Sequence, residues 1–265
     1  MAALRALFSQ GPAEHLTAPA RSLVVSLCSV VLASSLPPSM RRHALLCSTI
    51  VSVALPACID GTAGNSALLQ HCGALRASIT ADDESVRLVA LQCARSLFVL
   101  AAKPAARAVG RAYVTIIFPD VVSLLCAASF SALRTPDTVS EAARTVASPF
   151  LSWTAAEEKD AAAQLMMVAV PVLVSATDAK AASLSAVDAI LQVGPAHPDA
   201  FKAAVAAMPG AMKAKLEEAV RRSAHKGTQS GGAVNRVQAS GATRAVAREE
   251  TAAPTIQLKM DFSNF

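Results

Sequence analysis

Residues 81–100 read ADDESVRLVALQCARSLFVL, and this stretch decides the fold. It opens on Asp82, Asp83 and Glu84, at the place where carboxylates cap free amides and complement the positive end of a helix dipole. Val86 and Arg87 follow, and Ala90 comes one turn later, small enough to let a neighbouring helix approach closely. The same frame recurs as Ser39-Met40-Arg41-Arg42-His43-Ala44 and as Asp137-Thr138-Val139-Ser140-Glu141-Ala142-Ala143. Met40, Val86 and Val139 lie 46 and 53 residues apart, each with alanine four residues on, and a fainter copy starts near Ala182.

Working outward, the helix before each later copy carries a proline in matching surroundings. Ile116-Ile117-Phe118-Pro119-Asp120-Val121-Val122 compares with Val168-Ala169-Val170-Pro171-Val172-Leu173-Val174, at a spacing of 52. Proline within a helix deletes a backbone bond and kinks it, so its return points to a shared geometric requirement. Apolar residues at three- and four-residue spacing, cut by proline and glycine, predict helices over 18–35, 39–55, 66–79, 83–102, 111–129, 138–153, 156–176, 179–193, 198–208 and 209–224. A loop is expected around Asp60-Gly61-Thr62. Short links between these segments describe antiparallel helix hairpins.

Composition agrees with helix. The chain has 265 residues, of which 58 are alanine, 53% are hydrophobic and only 4% aromatic. This apolar content excludes wholesale disorder. Eleven glycines, one tyrosine and one tryptophan argue against a β-rich protein. The net charge of +5 is dispersed, with no basic run interleaved with aromatics, so a nucleic-acid footprint is not expected.

Membrane insertion is the competing class, because mean hydropathy is +0.43. The uncharged runs 22–40, 43–59 and 161–177 fall short of a span: they are rich in alanine and serine, contain Pro37-Pro38, Pro56 and Pro171, and lack a flanking Trp/Tyr belt. A polytopic membrane protein is therefore kept as the alternative reading. The N-terminal stretch has no apolar core of the length a secretory signal needs, and a cytoplasmic location is expected. Cys28, Cys47, Cys58, Cys72, Cys93 and Cys126 are scattered through the helical pattern without metal-ligand spacing, and read as small hydrophobes in a reducing compartment.

A repeat of about 40–47 residues with two helices per unit is the armadillo/HEAT class. On the residues quoted above, an internal proline in the first helix and then Asp, Val-Arg and Ala opening the second, the sequence resembles HEAT repeats. This resemblance implies an all-α superhelix, or solenoid, with a lead-in over 1–17, repeats over 18–225, and a flexible tail over 226–265. The physical reason for stacking is that one hairpin cannot bury its apolar face alone.

The tail composition shifts to Gly, Ser, Thr, Gln and Ala. It ends with Ile256, Leu258, Met260 and Phe262 alternating with polar residues. Such a segment can pair with a sheet edge, lie in a groove, or fold back on its own solenoid. Together with the helix pair HPDAFKAAVAAMPGAMKAKLEEAVRR, the spacer and the Pro-x-Ile-x-Leu-Lys-x-Asp-Phe terminus resemble the C-terminal end of the HEAT repeat-containing protein 5 family. Members of that family are accessory scaffolds for clathrin adaptors. The resemblance implies partners among adaptor or coat components, and peripheral placement at the trans-Golgi network or endosomal vesicles through those partners.

No catalytic constellation emerges. His71-Cys72 is the one adjacent His/Cys pair, but neighbours on a helix point apart, and His71 is expected as a partly exposed groove residue. His197-Pro198 is assigned turn and cap chemistry. Asp82-Asp83-Glu84 and Glu157-Glu158 are assigned to helix starts rather than to a metal. Trp153 is expected to pack between repeats. No cofactor, metal or enzymatic motif is expected. The candidate protein-binding residues are Arg41, Arg42 and Arg87, on the second helices and suited to acidic partners, with Ile256, Leu258, Met260 and Phe262 in the tail. The competing role for the arginines is solvated surface or a ladder between repeats.

Overall fold

A computed structural model describes residues 13–59, 66–126, 128–153, 159–178 and 183–230. Among them are ten α-helices and no strand. In chain order these are α1 (Ala13–Leu32), α2 (Pro38–Ala54), α3 (Ser66–Ile79), α4 (Glu84–Phe98), α5 (Arg107–Cys126), α6 (Pro136–Ser152), α7 (Lys159–Ala176), α8 (Ser183–Ala196), α9 (Pro198–Ala207) and α10 (Gly210–Ser230). The loop at Asp60-Gly61-Thr62, the pair Glu157-Glu158 and the tail residues Ile256, Leu258, Met260 and Phe262 lie outside the described residues.

The chain divides into two units, Met1–Ser223 and Ala224–Phe265. Within the first, α1 pairs with α2, α3 with α4, α5 with α6 and α7 with α8, each as a hairpin. The hairpins stack into two layers: α1, α3, α5, α7 and α9 touch in succession on one side, and α2, α4, α6 and α8 on the other. This is the architecture of an α-solenoid. One buried cluster runs through it without a break from Ala20 and Val24 in α1 to Leu216 in α10, as expected when each hairpin covers its neighbour's apolar face.

Helix boundaries follow local chemistry. Asp83 is the N-cap of α4, where its carboxylate accepts the Val86 amide at 3.0 Å, and Thr135 caps α6 by accepting from Thr138 N at 3.2 Å. Ser85 also donates to Asp83, and this bond with the Val86 amide holds the Asp83 carboxyl below its ordinary range. Helix α4 tightens into a 3-10 turn at Val99–Ala102 instead of running on as α-helix. At the front, α1 begins at Ala13, inside the expected lead-in, and carries Pro19 on an exposed position. At the back, α10 continues to Ser230, five residues into the expected tail, because an established helix gains one bond for each residue it adds.

The caps correct the repeat register. Asp83 and Thr135 are 52 apart. Val86 therefore matches Thr138, not Val139, and Ala90 matches Ala142. Both alanines are fully buried, as are Phe98 and Phe150, which the same shift superposes. The apparent spacing of 53 arose because Ala142 and Ala143 are both buried, so either satisfies the pattern. In the first copy the equivalent of Phe98 is Ser52.

A close crossing lies where α5 meets the turn after α4. A Cβ placed on Gly110 would stand 2.1 Å from the backbone nitrogen of Ala101 and 2.7 Å from its Cα. Only hydrogen fits there.

Among the described residues, four helices, over His15–Leu32, Glu84–Ala102, Pro104–Cys126 and Lys159–Ala176, are long and apolar enough by length and composition to cross a membrane. Two of these windows, 84–102 and 104–126, lie outside the uncharged runs that the sequence displays. In the structure these helices lie within the two packed layers.

Candidate functional site

The candidate arginines divide once their contacts are seen. Arg87 is 2% exposed and is not a residue for partners. Its guanidinium turns back to donate to the carbonyls of Ala81 at 2.7 Å and Asp82 at 2.8 Å, tying down the α3–α4 link. Arg41 is half-buried and donates from Nε to Val31 O at 2.9 Å, satisfying a carbonyl at the end of α1 that has no partner within the helix. Arg42 is also half-buried and lies within electrostatic range of Asp83. Arg21 makes the same kind of tie, from Nε to Cys58 O at 2.9 Å. A five-donor fork is well suited to holding loose carbonyls.

The ladder between repeats is built from other residues. Arg76 of α3 pairs with Asp120 of α5 at 2.8 Å in one layer, and Arg95 of α4 pairs with Glu141 of α6 at 3.1 Å in the other. The hydroxyl of Thr135 also meets Glu84, joining the starts of α4 and α6. Glu141 is buried, and its second oxygen lies 3.4 Å from Arg144. One carboxylate thus sits between two guanidinium groups.

Arg95 also stands where two hollows on the second-helix layer meet. The first, of about 650 Å3, runs between α2 and α4. Leu46, Ile50, Val53 and Ala54 form its α2 wall; Gln92, Arg95, Ser96 and the following Lys103 form the other, with Thr49 and Cys93 at the base. The second, of about 230 Å3, is bordered by Arg95, Arg144, Leu151, Ser185, Asp188 and Gln192 from α4, α6 and α8. Sequence reasoning missed these residues. Gln92, Arg95 and Ser96 do form a polar stripe at helical spacing, but a stripe of that kind is also what any solvated helix face shows.

Behind Thr49 lies a polar cluster in the core. His71 is fully buried rather than a groove residue, since α3 is enclosed by α1, α2 and α5. Its Nδ1 is 2.7 Å from the Tyr113 hydroxyl, and its Nε2 is 3.2 Å from Ser48 Oγ and 3.5 Å from Thr49 Oγ1. Ser48 donates to Leu45 O and Ser52 to Ser48 O, so neither serine has a proton to offer the ring. The hydrogen-bond inventory therefore places the ring proton on Nε2, donating to Ser48, while Nδ1 accepts from Tyr113. Burial lowers the His71 pKa to about 4 and pushes the Tyr113 hydroxyl well above its ordinary value. Ser48, Ser52, His71 and Tyr113 are all buried.

The remaining assignments resolve similarly. His197 does not cap α9 through its side chain; Nε2 donates instead to Phe150 O at 2.8 Å, closing the end of α6. Trp153 is buried at that end. Burial pushes the thiols of Cys28 and Cys72 to about 12 and those of Cys58 and Cys93 to about 11, which makes them poor nucleophiles. Among the described residues, no three His, Cys, Asp or Glu side chains gather as a metal site would require.

Stacked helix hairpins with an extended lined face define a helical-repeat protein of the kind that mediates protein–protein interaction. Residues 65–233, well over half of the chain, match the family of LAA1-like C-terminal TPR repeats, and the chain belongs to that family. Its repeats measure 46 and 52 residues by the corrected register, longer than the roughly 34 of a simple tetratricopeptide unit, with the same two helices per repeat. No curated protein and no solved structure matches the chain.

Proposed function

We propose that this chain is a non-enzymatic scaffold in clathrin-adaptor-linked vesicle traffic between endosomes and the trans-Golgi network. In this role it is cytoplasmic and reaches the vesicle surface through protein partners. Family membership over residues 65–233 and the resemblance of the terminal segments to the HEAT repeat-containing protein 5 family support the reading. The observation that carries it is the continuous layer of α2, α4, α6 and α8, which offers mixed polar and apolar hollows along an extended face.

The test is affinity purification of the tagged full chain from cells, followed by identification of what comes with it. Adaptor or coat components are the expected partners. A reproducible partner set containing neither overturns the trafficking role. Carbonate extraction of the same cells addresses the four apolar helices: a scaffold is released to the supernatant, whereas retention in the pellet means that they are spans.

A further inference from the structure

We propose that the groove between α2 and α4 is the docking site for a short, acidic, amphipathic segment of a partner protein. This rests on the scaffold reading and specifies what the scaffold holds. The apolar half of the requirement comes from α2, where Leu46, Ile50 and Val53 fall at i, i+4 and i+7 and line one wall over about two turns. Two bulky aliphatic or aromatic side chains at helical spacing would bury against that wall, the arrangement used when an amphipathic helix enters a groove.

The acidic half comes from the facing wall. Its two charged residues, Arg95 and Lys103, are both cationic, and among the described residues no carboxylate lines this groove. Glu141 meets Arg95 from the α6 side and Asp188 borders the other hollow, so neither carboxylate lines this groove. The Arg95 side chain is still 40% exposed while it makes that contact. Glu141 therefore fixes the guanidinium at the groove edge with donors left over for an incoming carboxylate. The Arg95–Glu141 pair ties the α4 wall of the groove to α6. Preformed geometry lowers the ordering cost of binding. The apolar wall, and the lack of any aromatic lining, set the site apart from a nucleic-acid or headgroup surface that relies on charge alone.

The experiment uses the full chain and fluorescent synthetic peptides that share two leucines at helical spacing and differ only in carrying aspartates or asparagines. The aspartate peptide is expected to bind at least about tenfold more tightly, with affinity falling as salt rises. The double variant Arg95→Glu/Lys103→Glu should reduce that binding by about a hundredfold. Ile50→Asp should weaken both peptides. Arg222→Glu, on the exposed face of α10, should change nothing. Circular dichroism confirms that each variant is folded. Equal binding of the two peptides, indifference to the double variant, or binding only to phosphatidylserine vesicles overturns the proposal. If the double variant also keeps every partner recovered with the wild-type chain, the groove is excluded while the scaffold stands. If the wild-type chain recovers no partner, the scaffold reading itself fails.

Discussion

Ser52 in the first repeat occupies the position that Phe98 and Phe150 occupy in the next two, and the cores around these residues are built from opposite chemistries. Around Ser52, the α1–α4 region buries Ser48, Thr49 and His71 together with Tyr113 from α5. Further along, Phe98, Phe118 and Phe150 form a chain of rings at 6.5 Å centroid spacings, ending on His197 at 6.3 Å. Both solutions fill the space between two helix layers. The aromatic one tolerates variation in detail, because dispersion and burial are non-directional. The polar one holds only while every donor and acceptor is matched, so it ties stability to protonation.

The largest effect that would sharpen this contrast is at the aromatic end. Phe150→Ala removes a fully buried ring in contact with both Phe118 and His197, and should cost about 3–5 kcal/mol in a denaturant melt. A loss below about 1 kcal/mol would mean that the rings are not what joins these repeats.

Next in size is acid. His71 is an ordinary histidine in the unfolded chain but has a pKa of about 4 in the fold, so the unfolded state binds the proton first. Its contribution is complete above pH 6.5 and is lost as pH falls toward 4, by about 3 kcal/mol in total. His71→Gln should be less stable at neutral pH and should flatten this part of the pH profile. A profile as steep in the variant as in the wild type would show that another group is responsible.

Tyr113→Phe comes third. It withdraws the one proton available to Nδ1 and leaves a buried acceptor unmatched, which should cost about 1–2 kcal/mol and raise the histidine pKa measured by NMR. The smallest change is expected from Ser52→Ala, about 0.5–1 kcal/mol, since its hydroxyl serves mainly the Ser48 carbonyl within its own helix.

The sequence made the hairpins and their order legible because caps and apolar periodicity are local signals. The residues of α3 could be read outright, and Asp83 could be identified as a cap. Register was harder, since adjacent buried alanines at 142 and 143 satisfy two phases equally. Arg87 was misread for a related reason: its partners are carbonyls, which every residue has and no sequence pattern marks. His71 looked like a groove residue because what encloses it comes from Ser48, Ser52 and Tyr113, as far as 42 positions away. The groove itself arises only when α2 and α4 are brought side by side, so neither helix displays it alone.

The bare hydrogen at Gly110 has a consequence beyond its own crossing. Any larger group there must wedge α5 away from the backbone at Ala101. Hairpins that rest one upon the next pass such a tilt along, so a single added methyl would act as a shim under a lever arm. The alignment of α4 with α6, and with it the spacing of the hollow they share with α8, hangs on the absence of one carbon atom.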